Sequence, residues 1–356
     1  MRPPQHPPRI LLCSWVFPPS IGGIETSSLF LAERMHRHGL AVTVVTQTPA
    51  DDHPFPFPVI RQPSPSRLLE LVRQSDLVYQ NNISLHYLWP LLLVRRPLII
   101  VNHTPIDETI EHSRLKRSLK FLAMRHATAC ISCSHYLAGT FPVPSRVIHN
   151  SYRSAIFRRS NPQPARDRQL VFFGRLARAK GVDILFHALA LLRDRGLRPA
   201  LTLIGGGAEQ QPLSELAARL NITDQITFLG PLPPQQAAAL LERHQVLVVP
   251  SRCQPAEAFP FVPLEAIACG AVPAVADQGG LPETVGSCGI LFPVEDPHAL
   301  ADTLAHLLAH PEELEQLRAH APDHLARFQE DTIFLEYLSV VQQALPHHRI
   351  LDPTPA

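Results

Sequence analysis

Two glutamates stand out in this chain of 356 residues because they interrupt an apolar stretch. Glu257 and Glu265 bracket the sequence Ala-Phe-Pro-Phe-Val-Pro-Leu. A buried carboxylate is unfavourable unless it meets hydrogen-bond donors, and a ligand rich in hydroxyl groups supplies them. The stretch therefore predicts a binding site. Each acid alone also has an ordinary interpretation: Glu265 as a first-turn acid that stabilises a helix dipole, and Glu257 as a solvated loop carboxylate.

The elements around the two acids place them differently. Proline suits the start of a helix and glycine the position after its end, which predicts a helix over residues 263–269 with Glu265 in its first turn. Glu257 then lies in the preceding loop, which its prolines keep from being helical. Apolar runs at 246–250 and 271–276 predict buried strands on either side. The acids thus occupy a strand-to-helix connection, where open α/β sheets bind ligands.

A second candidate lies earlier in the chain, at a predicted strand-to-helix loop. Arg175 and Lys180 are bracketed there by Gly174 and Gly181. The glycines allow close backbone approach, and two cations could neutralise a diphosphate. Loop cations are common, so this pattern alone is weak.

Two further features follow predicted strands in the first half of the chain. Gly22 and Gly23 come after the first strand and before a helical pattern, and they predict a tight turn whose N–H groups face an anion or approach a sugar. His103 directly follows the strand at 98–102. A plain loop and an unremarkable loop histidine are the ordinary alternatives.

Strands and helices alternate along the whole chain, which predicts two doubly wound parallel sheets. Strands of the first half are expected at 9–15, 41–46, 77–80, 98–102, 129–132 and 147–149, and those of the second half at 170–173, 201–204, 226–229, 246–249, 274–276 and 289–292.

The domain boundary is expected in a polar segment with two prolines at residues 160–168, a composition typical of a linker. We therefore predict a first domain over residues 1–160, a second over 161–335, and a final helix with a tail over 336–356.

The composition is that of a soluble globular protein, with 45% hydrophobic and 18% charged residues. No apolar run reaches the roughly 18 residues that span a bilayer, so we expect a cytoplasmic chain. Its six cysteines form no evident disulfide or metal framework. We expect no metal, no cofactor and no nucleic-acid partner.

The near-neutral net charge of +1 conceals a basic first half. Residues 1–160 hold 18 Lys and Arg against 9 Asp and Glu (+9), and the remainder holds 14 against 22 (−8). Part of this excess lies in residues 112–125, where leucines and cations recur at helical spacing. Such a helix can lie on anionic lipid. Alternatively, it packs its apolar stripe inward as an ordinary surface helix.

The stretch from Pro250 to Val285 resembles the signature of the retaining glycosyltransferases of family four, which have the GT-B fold of two facing Rossmann-like domains. The Gly-Arg and Lys-Gly motifs of the second domain and the Pro-Pro, Gly-Gly, Glu pattern of the first are similar to the same family. The resemblance covers about residues 9–345. One departure is Pro260, where the family usually has a glycine whose N–H meets sugar hydroxyls.

The resemblance implies roles for the candidate residues. Glu257 and His103 would contact the donor sugar as catalytic groups, and Glu265 would bind the ribose of the nucleotide. The diphosphate would be held by Arg175, Lys180, Gly22 and Gly23, and the donor-sugar loop would comprise Phe259, Pro260, Phe261 and Val262.

The expected function is metal-independent transfer of a hexosyl unit, with retained configuration, from a UDP- or GDP-sugar to a glycan or lipid-linked acceptor in polysaccharide biosynthesis. Contact with an anionic membrane through residues 112–125 is a further hypothesis. A nucleotide-sugar epimerase of the same architecture remains an alternative, with Asp107, Glu108 and Glu111 as the clustered acids. A non-catalytic sugar-nucleotide binder would explain Pro260.

Overall fold

The computed structural model describes residues 6–20, 22–49, 54–108 and 111–348. The chain divides into two compact units, the first comprising Met1–Asn150 with Asp331–Ala356 and the second Ser151–Glu330. Each unit contains one parallel sheet flanked by helices. The predicted doubly wound α/β fold is confirmed.

The first unit is built on a seven-stranded sheet in the order β3-β2-β1-β4-β5-β6-β7. All its strand pairs are parallel, and its central strands are continuous apolar runs because helices cover both faces of such a sheet. The strands are β1 Arg9–Ser14, β2 Ala41–Thr46, β3 Val59–Arg61, β4 Leu77–Asn81, β5 Leu98–Asn102, β6 Ala129–Ser132 and β7 Arg146–Val147.

Serine side chains begin three of the helices in this unit. Ser64, Ser113 and Ser134 each accept a hydrogen bond from the backbone N–H three residues further on, which satisfies a donor that the first helical turn leaves unpaired. The helices that precede the second unit are α1 Gly23–Arg37, α2 Pro65–Gln74, α3 Arg114–His126 and α4 His135–Gly139.

The second unit contains a six-stranded sheet in the order β10-β9-β8-β11-β12-β13, again parallel. Its strands are β8 Arg168–Phe173, β9 Leu201–Ile204, β10 Ile226–Gly230, β11 His244–Val249, β12 Val272–Ala276 and β13 Ile290–Phe292. Its helices are α5 Val182–Asp194, α6 Gln210–Arg219, α7 Pro234–Arg243, α8 Val262–Cys269, α9 Leu281–Val285, α10 Pro297–Ala309, α11 Pro311–Ala319 and α12 Ala321–Ala326.

Both sheets reverse their strand order at one point. In the first unit the chain runs outward from β1 to β3 and then returns to add β4 on the other side of β1. In the second it runs from β8 to β10 and returns to add β11 beside β8. Ligands bind at such switch points, outside the carboxyl ends of the two strands. A binding site is therefore expected at the carboxyl ends of β1 and β4 in the first unit, and at those of β8 and β11 in the second.

The last helix, α13 Glu330–Ala344, belongs to the first unit from Asp331 onward. Its side chains Ile333, Phe334 and Tyr337 are buried in the same apolar core as the strands β1, β4 and β5. This burial explains why the end of the chain joins the unit formed by its beginning. Of the predicted tail, residues 349–356 lie outside the described residues.

The division between the units falls at 150/151 and 330/331 rather than at the predicted 160/161 and 335/336. Tyr152 and Phe157 are buried within the second unit, where the Tyr152 hydroxyl accepts a hydrogen bond from Gln329 at 2.8 Å and the Phe157 ring lies 6.4 Å from that of Phe173. The polar segment that suggested a linker therefore follows residues already anchored in the second unit.

One strand was not predicted. β3 is only three residues long and lies close to several prolines, which hid its weak apolar pattern, yet it pairs in parallel with β2. The other expected strands are present: four have the predicted bounds, at 41–46, 98–102, 129–132 and 201–204, and the rest have shifted ends. The predicted strand 147–149 overlaps β7, Arg146–Val147, at residue 147 only.

Candidate functional site

A lysine–glutamate pair lies at the β8/β11 switch point of the second unit. Lys180 follows β8 in a short 3-10 turn, and its Nζ contacts Oε1 of Glu257, which follows β11. The Ser251 hydroxyl donates to the same carboxylate oxygen at 2.9 Å. Both charged side chains are partly exposed, at 27% and 18%. Two opposite charges are therefore accessible to a ligand at the carboxyl ends of the strands, where open α/β sheets bind their ligands.

Backbone contacts bring the two loops of this pair together. Gly181 has a φ of +64°, and a Cβ atom there would lie 2.0 Å from the carbonyl oxygen of Pro250. The Arg252 N–H donates to the carbonyl of Ala179 at 2.8 Å. A side chain at position 181 would push the loops apart, so this glycine fixes the distance between the two charges.

Arg175 lies on the loop after β8 and is exposed. Among the residues that the structure describes, its guanidinium has no hydrogen bond or ion pair. The loop beneath it packs closely on a glycine-rich segment: a Cβ atom at Gly207 would lie 2.2 Å from the Leu176 carbonyl oxygen. Arg175 is thus an unpaired cation on a closely packed backbone, which suits binding of an anion.

The loop that begins with Glu257 rests on a pair of glycines. The Gly280 N–H donates to the Glu257 carbonyl at 2.7 Å. Cβ atoms at Gly279 and Gly280 would lie 2.2 Å from the carbonyl oxygen of Glu257 and 2.0 Å from that of Ala258. The backbone of the predicted donor-sugar loop therefore packs directly against this glycine pair.

The remaining residues of the predicted donor-sugar loop differ in exposure. Phe259 is buried, and its ring lies 5.7 Å from that of Phe328, so it anchors the loop to the unit. Pro260, Phe261 and Val262 are partly exposed. Pro260 and Phe261 lead directly into α8, whose first residue is Val262, one residue earlier than predicted.

Glu265 lies in the first turn of α8 and is only 4% exposed. Its Oε1 is 3.1 Å from Nη2 of Arg153, whose guanidinium lies over the Phe157 ring. Burial raises the pKa of the Glu265 carboxyl, and the charge of Arg153 opposes that rise. Among the described residues no partner is found for Oε2. One carboxylate oxygen is therefore paired and the other can take a ligand hydroxyl.

The start of α8 offers fewer anion donors than an ordinary helix. Its first intrahelical hydrogen bond joins the Glu265 N–H to the Phe261 carbonyl at 3.0 Å, so only N–H groups before this point are unpaired within the helix. Pro263 contributes none of them, because it has no N–H. An anion at this position would therefore rely more on the side-chain cations than on the helix.

The first unit carries a neutral hydrogen-bond network at its β1/β4 switch point. His103, just after β5, is 8% exposed, and its Nε2 lies 2.9 Å from Oδ1 of Asn81 and 3.4 Å from Oγ of Ser27. Asn81 Nδ2 donates to the Ser28 hydroxyl at 2.7 Å, which in turn reaches Ser14 Oγ at 2.8 Å. Residues of α1, β1, β4 and β5 thus converge on one imidazole.

This network fixes the tautomer of His103. Asn81 Nδ2 also faces the carbonyl oxygen of Ile24 at 3.4 Å, and since a carbonyl only accepts, the amide must be oriented with its oxygen toward the imidazole. Nε2 therefore carries the proton and donates it to Asn81. Burial lowers the pKa of His103 to about 4, so at neutral pH the ring is uncharged and its Nδ1 is an acceptor.

Gly22 and Gly23 lie next to this network but do not form the predicted tight turn. Gly22 is extended, with a φ of 178°, and caps α1, of which Gly23 is the first residue. The turn lies earlier, where the Ser20 N–H donates to the Phe17 carbonyl at 3.2 Å. The two prolines of the motif take up the turn, which leaves the glycines free to start the helix. Ile21, within the same motif, lies outside the described residues.

Pattern-based reasoning missed the hydroxyl groups of both sites. Ser14, Ser27 and Ser28 surround His103, and Ser251 supports Glu257, yet serines are too common for their types alone to signal a site. The one available signal for Ser27 and Ser28 was their place on the first turns of a helix that follows the glycine pair.

A cavity of about 490 Å³ opens beside the neutral network. Its lining includes Trp15 and Asn82, which directly follow β1 and β4, His86 of the short 3-10 turn Leu85–Tyr87, Glu111, and Lys116 and Lys120 of α3. Trp15 is half exposed, and its ring meets that of His86 edge-on at 5.7 Å. Aromatic faces and cations together suit a ligand with sugar rings or anionic groups.

Two of the acids considered for an epimerase are already paired within the first unit. Glu108 Oε1 accepts from Arg117 at 2.7 Å, and Glu111 Oε2 lies 3.2 Å from Lys120 Nζ. Lys120 holds the pKa of the Glu111 carboxyl below its usual range. Both acids thus serve as ion-pair partners of α3.

No helix within the described parts of the chain is both long and apolar enough to cross a membrane.

The fold has clear counterparts among solved structures. Sucrose-phosphate synthase from Thermosynechococcus elongatus matches with a TM-score of 0.79 at 22% identity, covering 96% of this chain and 100% of the other. HepE of Anabaena, solved in complex with UDP, matches with a TM-score of 0.80 at 21% identity, covering 94% and 99%. With its two parallel-sheet units, the chain has the GT-B fold.

The family follows from the sequence matches. Residues 154–324 match the family described as glycosyl transferases group 1, and residues 21–153 match glycosyltransferase family 4. The chain belongs to the family-four type of glycosyltransferases. A D-inositol 3-phosphate glycosyltransferase of Corynebacterium jeikeium is 34% identical over 174 residues, which cover 46% of this chain and 41% of that relative. The matches thus span about two fifths to a half of the length of such curated relatives.

Proposed function

We propose that this protein transfers a hexosyl unit from a nucleotide-diphosphate sugar to a hydroxyl group of an acceptor, with retention of configuration and without a metal ion. The observation that carries the proposal is the Lys180–Glu257 pair at the β8/β11 switch point, with the unpaired cation Arg175 on the same loop. UDP and UDP-glucose bound to HepE, a protein of the same fold, support a nucleotide-sugar donor.

Departure of the nucleoside diphosphate builds negative charge on its phosphate oxygens. Arg175 and Lys180 would stabilise that charge as cations already in position, which is the usual way in which a protein lowers the barrier of such a step. Glu257 would orient the sugar as positive charge develops at its anomeric carbon, and Ser251 holds this carboxylate in place. The free oxygen of Glu265 would accept a hydrogen bond from a ribose hydroxyl.

We propose that His103 contacts the donor sugar. With its proton on Nε2, the neutral ring presents Nδ1, which would accept a hydrogen bond from a sugar hydroxyl. An uncharged contact here avoids repulsion with the positive charge that develops on the sugar. Gly22 and Gly23, at the start of α1, would lie near the donor phosphate.

The acceptor would occupy the cavity beside the network, where Trp15 offers a face for a sugar ring and Lys116 offers positive charge, whereas Lys120 is paired with Glu111. A glycan or a lipid-linked sugar with anionic groups fits these side chains, in keeping with polysaccharide biosynthesis. We also propose that the protein works on an anionic membrane surface, with residues 112–125 in contact with it.

The first experiment is product analysis with a panel of UDP- and GDP-sugars, with and without membrane lipid. Transfer to an acceptor with the donor's anomeric configuration, unaffected by a chelator, is the expected result. Isomerisation of the sugar without an acceptor would instead identify an epimerase, and donor binding without turnover would identify a non-catalytic relative. Loss of transfer with the chelator would contradict metal independence.

A titration then tests the residue roles. Arg175→Ala should weaken binding of UDP or GDP about 10- to 100-fold, as loss of one charge-assisted hydrogen bond predicts, but change binding of the monophosphate less. Glu265→Ala should weaken both nucleotides alike, because they share the ribose. Arg178→Ala is the matched control, since Arg178 is another exposed arginine of the same loop. Unchanged nucleotide affinity in the Arg175 and Glu265 variants would refute these assignments.

A further inference from the structure

The leucines of α3 point away from the first unit. Leu115, Leu119 and Leu122 are 70%, 43% and 50% exposed, and their spacing of four and three residues places them on one face of the helix. Met124 is buried and anchors the helix to its unit. The ordinary interpretation of this helix, with its apolar stripe packed inward, is therefore wrong. The stripe faces solvent, where an apolar surface is costly unless it has a binding partner.

The exposed stripe is accompanied only by positive charge on its helix. α3 contains no acidic residue. Arg117 and Lys120 are paired with Glu108 and Glu111, which belong to the preceding segment. The exposed side chains Arg114, Lys116 and Arg125 have no ion pair among the residues that the structure describes.

A second pair of exposed leucines lies on a neighbouring element. Leu92 and Leu93 are 87% and 67% exposed and are followed by the exposed Arg95. They end a short 3-10 turn that contacts another, Leu85–Tyr87, against which α3 packs. Five of the ten exposed large hydrophobic side chains of the described residues thus come from α3 and this pair. Concentration of this kind marks an interaction surface rather than scattered exposure.

We propose that α3 and Leu92–Leu93 form an insertion surface that binds an anionic lipid bilayer by burying its leucines at the boundary between headgroups and acyl chains. α3 would lie in the plane of the interface, with its unpaired cations on the lipid phosphates. This proposal rests on the membrane contact of the proposed function and specifies that contact as insertion of the leucines rather than adsorption through charge alone. It does not depend on the transfer reaction.

The charge pattern favours lipid over a second copy of the chain. Two copies meeting through this surface would bring their unpaired arginines and lysines together in a region of low dielectric, where like charges repel strongly. An anionic bilayer instead supplies both an apolar phase for the leucines and negative charge for the cations. Association would therefore need both components of the surface.

Vesicle flotation without nucleotide or acceptor tests the proposal. The protein should float with vesicles that contain phosphatidylglycerol and should float at least tenfold less with phosphatidylcholine alone. Leu115→Ser/Leu119→Ser/Leu122→Ser should lose at least tenfold of the binding, and Leu92→Ser/Leu93→Ser a smaller part. The matched control replaces three exposed leucines elsewhere, Leu197→Ser/Leu291→Ser/Leu335→Ser, and should bind like the wild type.

Insertion is separated from adsorption by two further measurements. A Leu119→Trp reporter should be quenched by lipids brominated on their acyl chains, whereas adsorption through charge alone leaves it unquenched. Arg114→Gln/Arg125→Gln should weaken binding and reduce its dependence on salt. Titration with UDP or GDP confirms that each variant still folds.

Several outcomes would overturn the inference. One is a wild-type protein that floats with neither vesicle, and another is a triple leucine variant that floats as well as the wild type. An unquenched reporter would show adsorption only. Concentration-dependent dimerisation that the leucine variant abolishes would assign the surface to a second copy. Transferase activity that persists in a non-floating protein would leave the transfer proposal intact and refute this one alone.

Discussion

The two units place their candidate sites at equivalent switch points but build them from different interactions. In the second unit the site consists of charges, with Lys180 against Glu257 and Arg153 against Glu265. In the first unit it is a chain of neutral hydrogen bonds that ends at His103. One sheet edge is therefore suited to a charged group such as a diphosphate, and the other to hydroxyl groups. The same topology supports two kinds of recognition because the loops, not the strands, carry the chemistry.

The comparison predicts that removing charge from the second unit has the largest effect. Glu257→Gln keeps the size of the side chain and an acceptor for Ser251 but leaves Lys180 without its counter-charge and the developing sugar cation without a carboxylate. We expect kcat/KM to fall about 1000-fold, or about 4 kcal/mol, mostly through kcat. Steady-state kinetics with the donor identified by the panel provide the measurement.

The control for this variant is Glu295→Gln, because Glu295 also pairs with an arginine of the same unit but is half exposed. Exposed pairs contribute little, so its rate should stay within twofold. His103→Gln, which alters an uncharged contact, should cost about 10- to 100-fold. A loss at His103 as large as that at Glu257 would break the distinction between a charged and a neutral site.

The sequence predicted the charged site of the second unit better than the neutral network of the first. Arg175, Lys180, Glu257 and Glu265 were found because each lies in a short local pattern of glycines, prolines and charges. The network around His103 was not, since its partners come from α1, β1 and β4 and only the fold brings them together. Amides and hydroxyls also lack the burial cost that makes a charge in an apolar stretch conspicuous.

The direction of α3 shows another limit of sequence patterns. Periodicity placed the leucines of residues 112–125 on one face but could not say whether that face packs inward or outward, which depends on where the helix rests on its unit. The division between the units was likewise misplaced because prolines indicated a linker, whereas the burial of Tyr152 and Phe157 decides where the second unit begins. The composition of residues 160–168 is typical of a linker, but the boundary between the units depends on which side chains are buried in each core.

The glycine pairs of the two units offer a second, smaller test. Gly279 has a φ of +56°, and a Cβ atom there would lie 2.2 Å from the Glu257 carbonyl oxygen, so Gly279→Ala combines backbone strain with a clash. We expect it to lower the free energy of unfolding by about 3 kcal/mol. Gly22 is extended, and its added Cβ would meet only the flexible end of Glu25, so Gly22→Ala should cost less than about 0.5 kcal/mol.

Midpoints of urea unfolding at equal slope compare the two glycine variants. Equal losses would mean that the backbone at the start of α1 is as tightly constrained as the loop beneath Glu257. That result would remove the structural difference between a glycine that begins a helix and a glycine that permits close packing.

The smallest expected effect concerns one buried histidine in each unit. Burial lowers the pKa of both His103 and His244 to about 4. Unfolded imidazoles bind a proton below about 6.5, whereas the folded ones do so only below about 4, so between these values the unfolded state holds more protons. Stability is therefore complete above about pH 6.5 and decreases as the pH falls toward 4. At pH 5 each histidine should cost about 2 kcal/mol relative to pH 7.

Chemical denaturation at pH 7 and pH 5 measures how much each histidine contributes to the pH dependence of the free energy of unfolding. His103→Gln and His244→Gln should each reduce the difference between the two pH values by about 2 kcal/mol. Asn81→Asp should reduce only the contribution of His103 to this pH dependence. A carboxylate beside the Nε2–H stabilises the imidazolium and raises its pKa. His244 has Leu240 and Thr202 as its partners and should not respond. If Asn81→Asp left the pH dependence unchanged, Asn81 would not be the group that accepts the hydrogen bond from Nε2–H of His103.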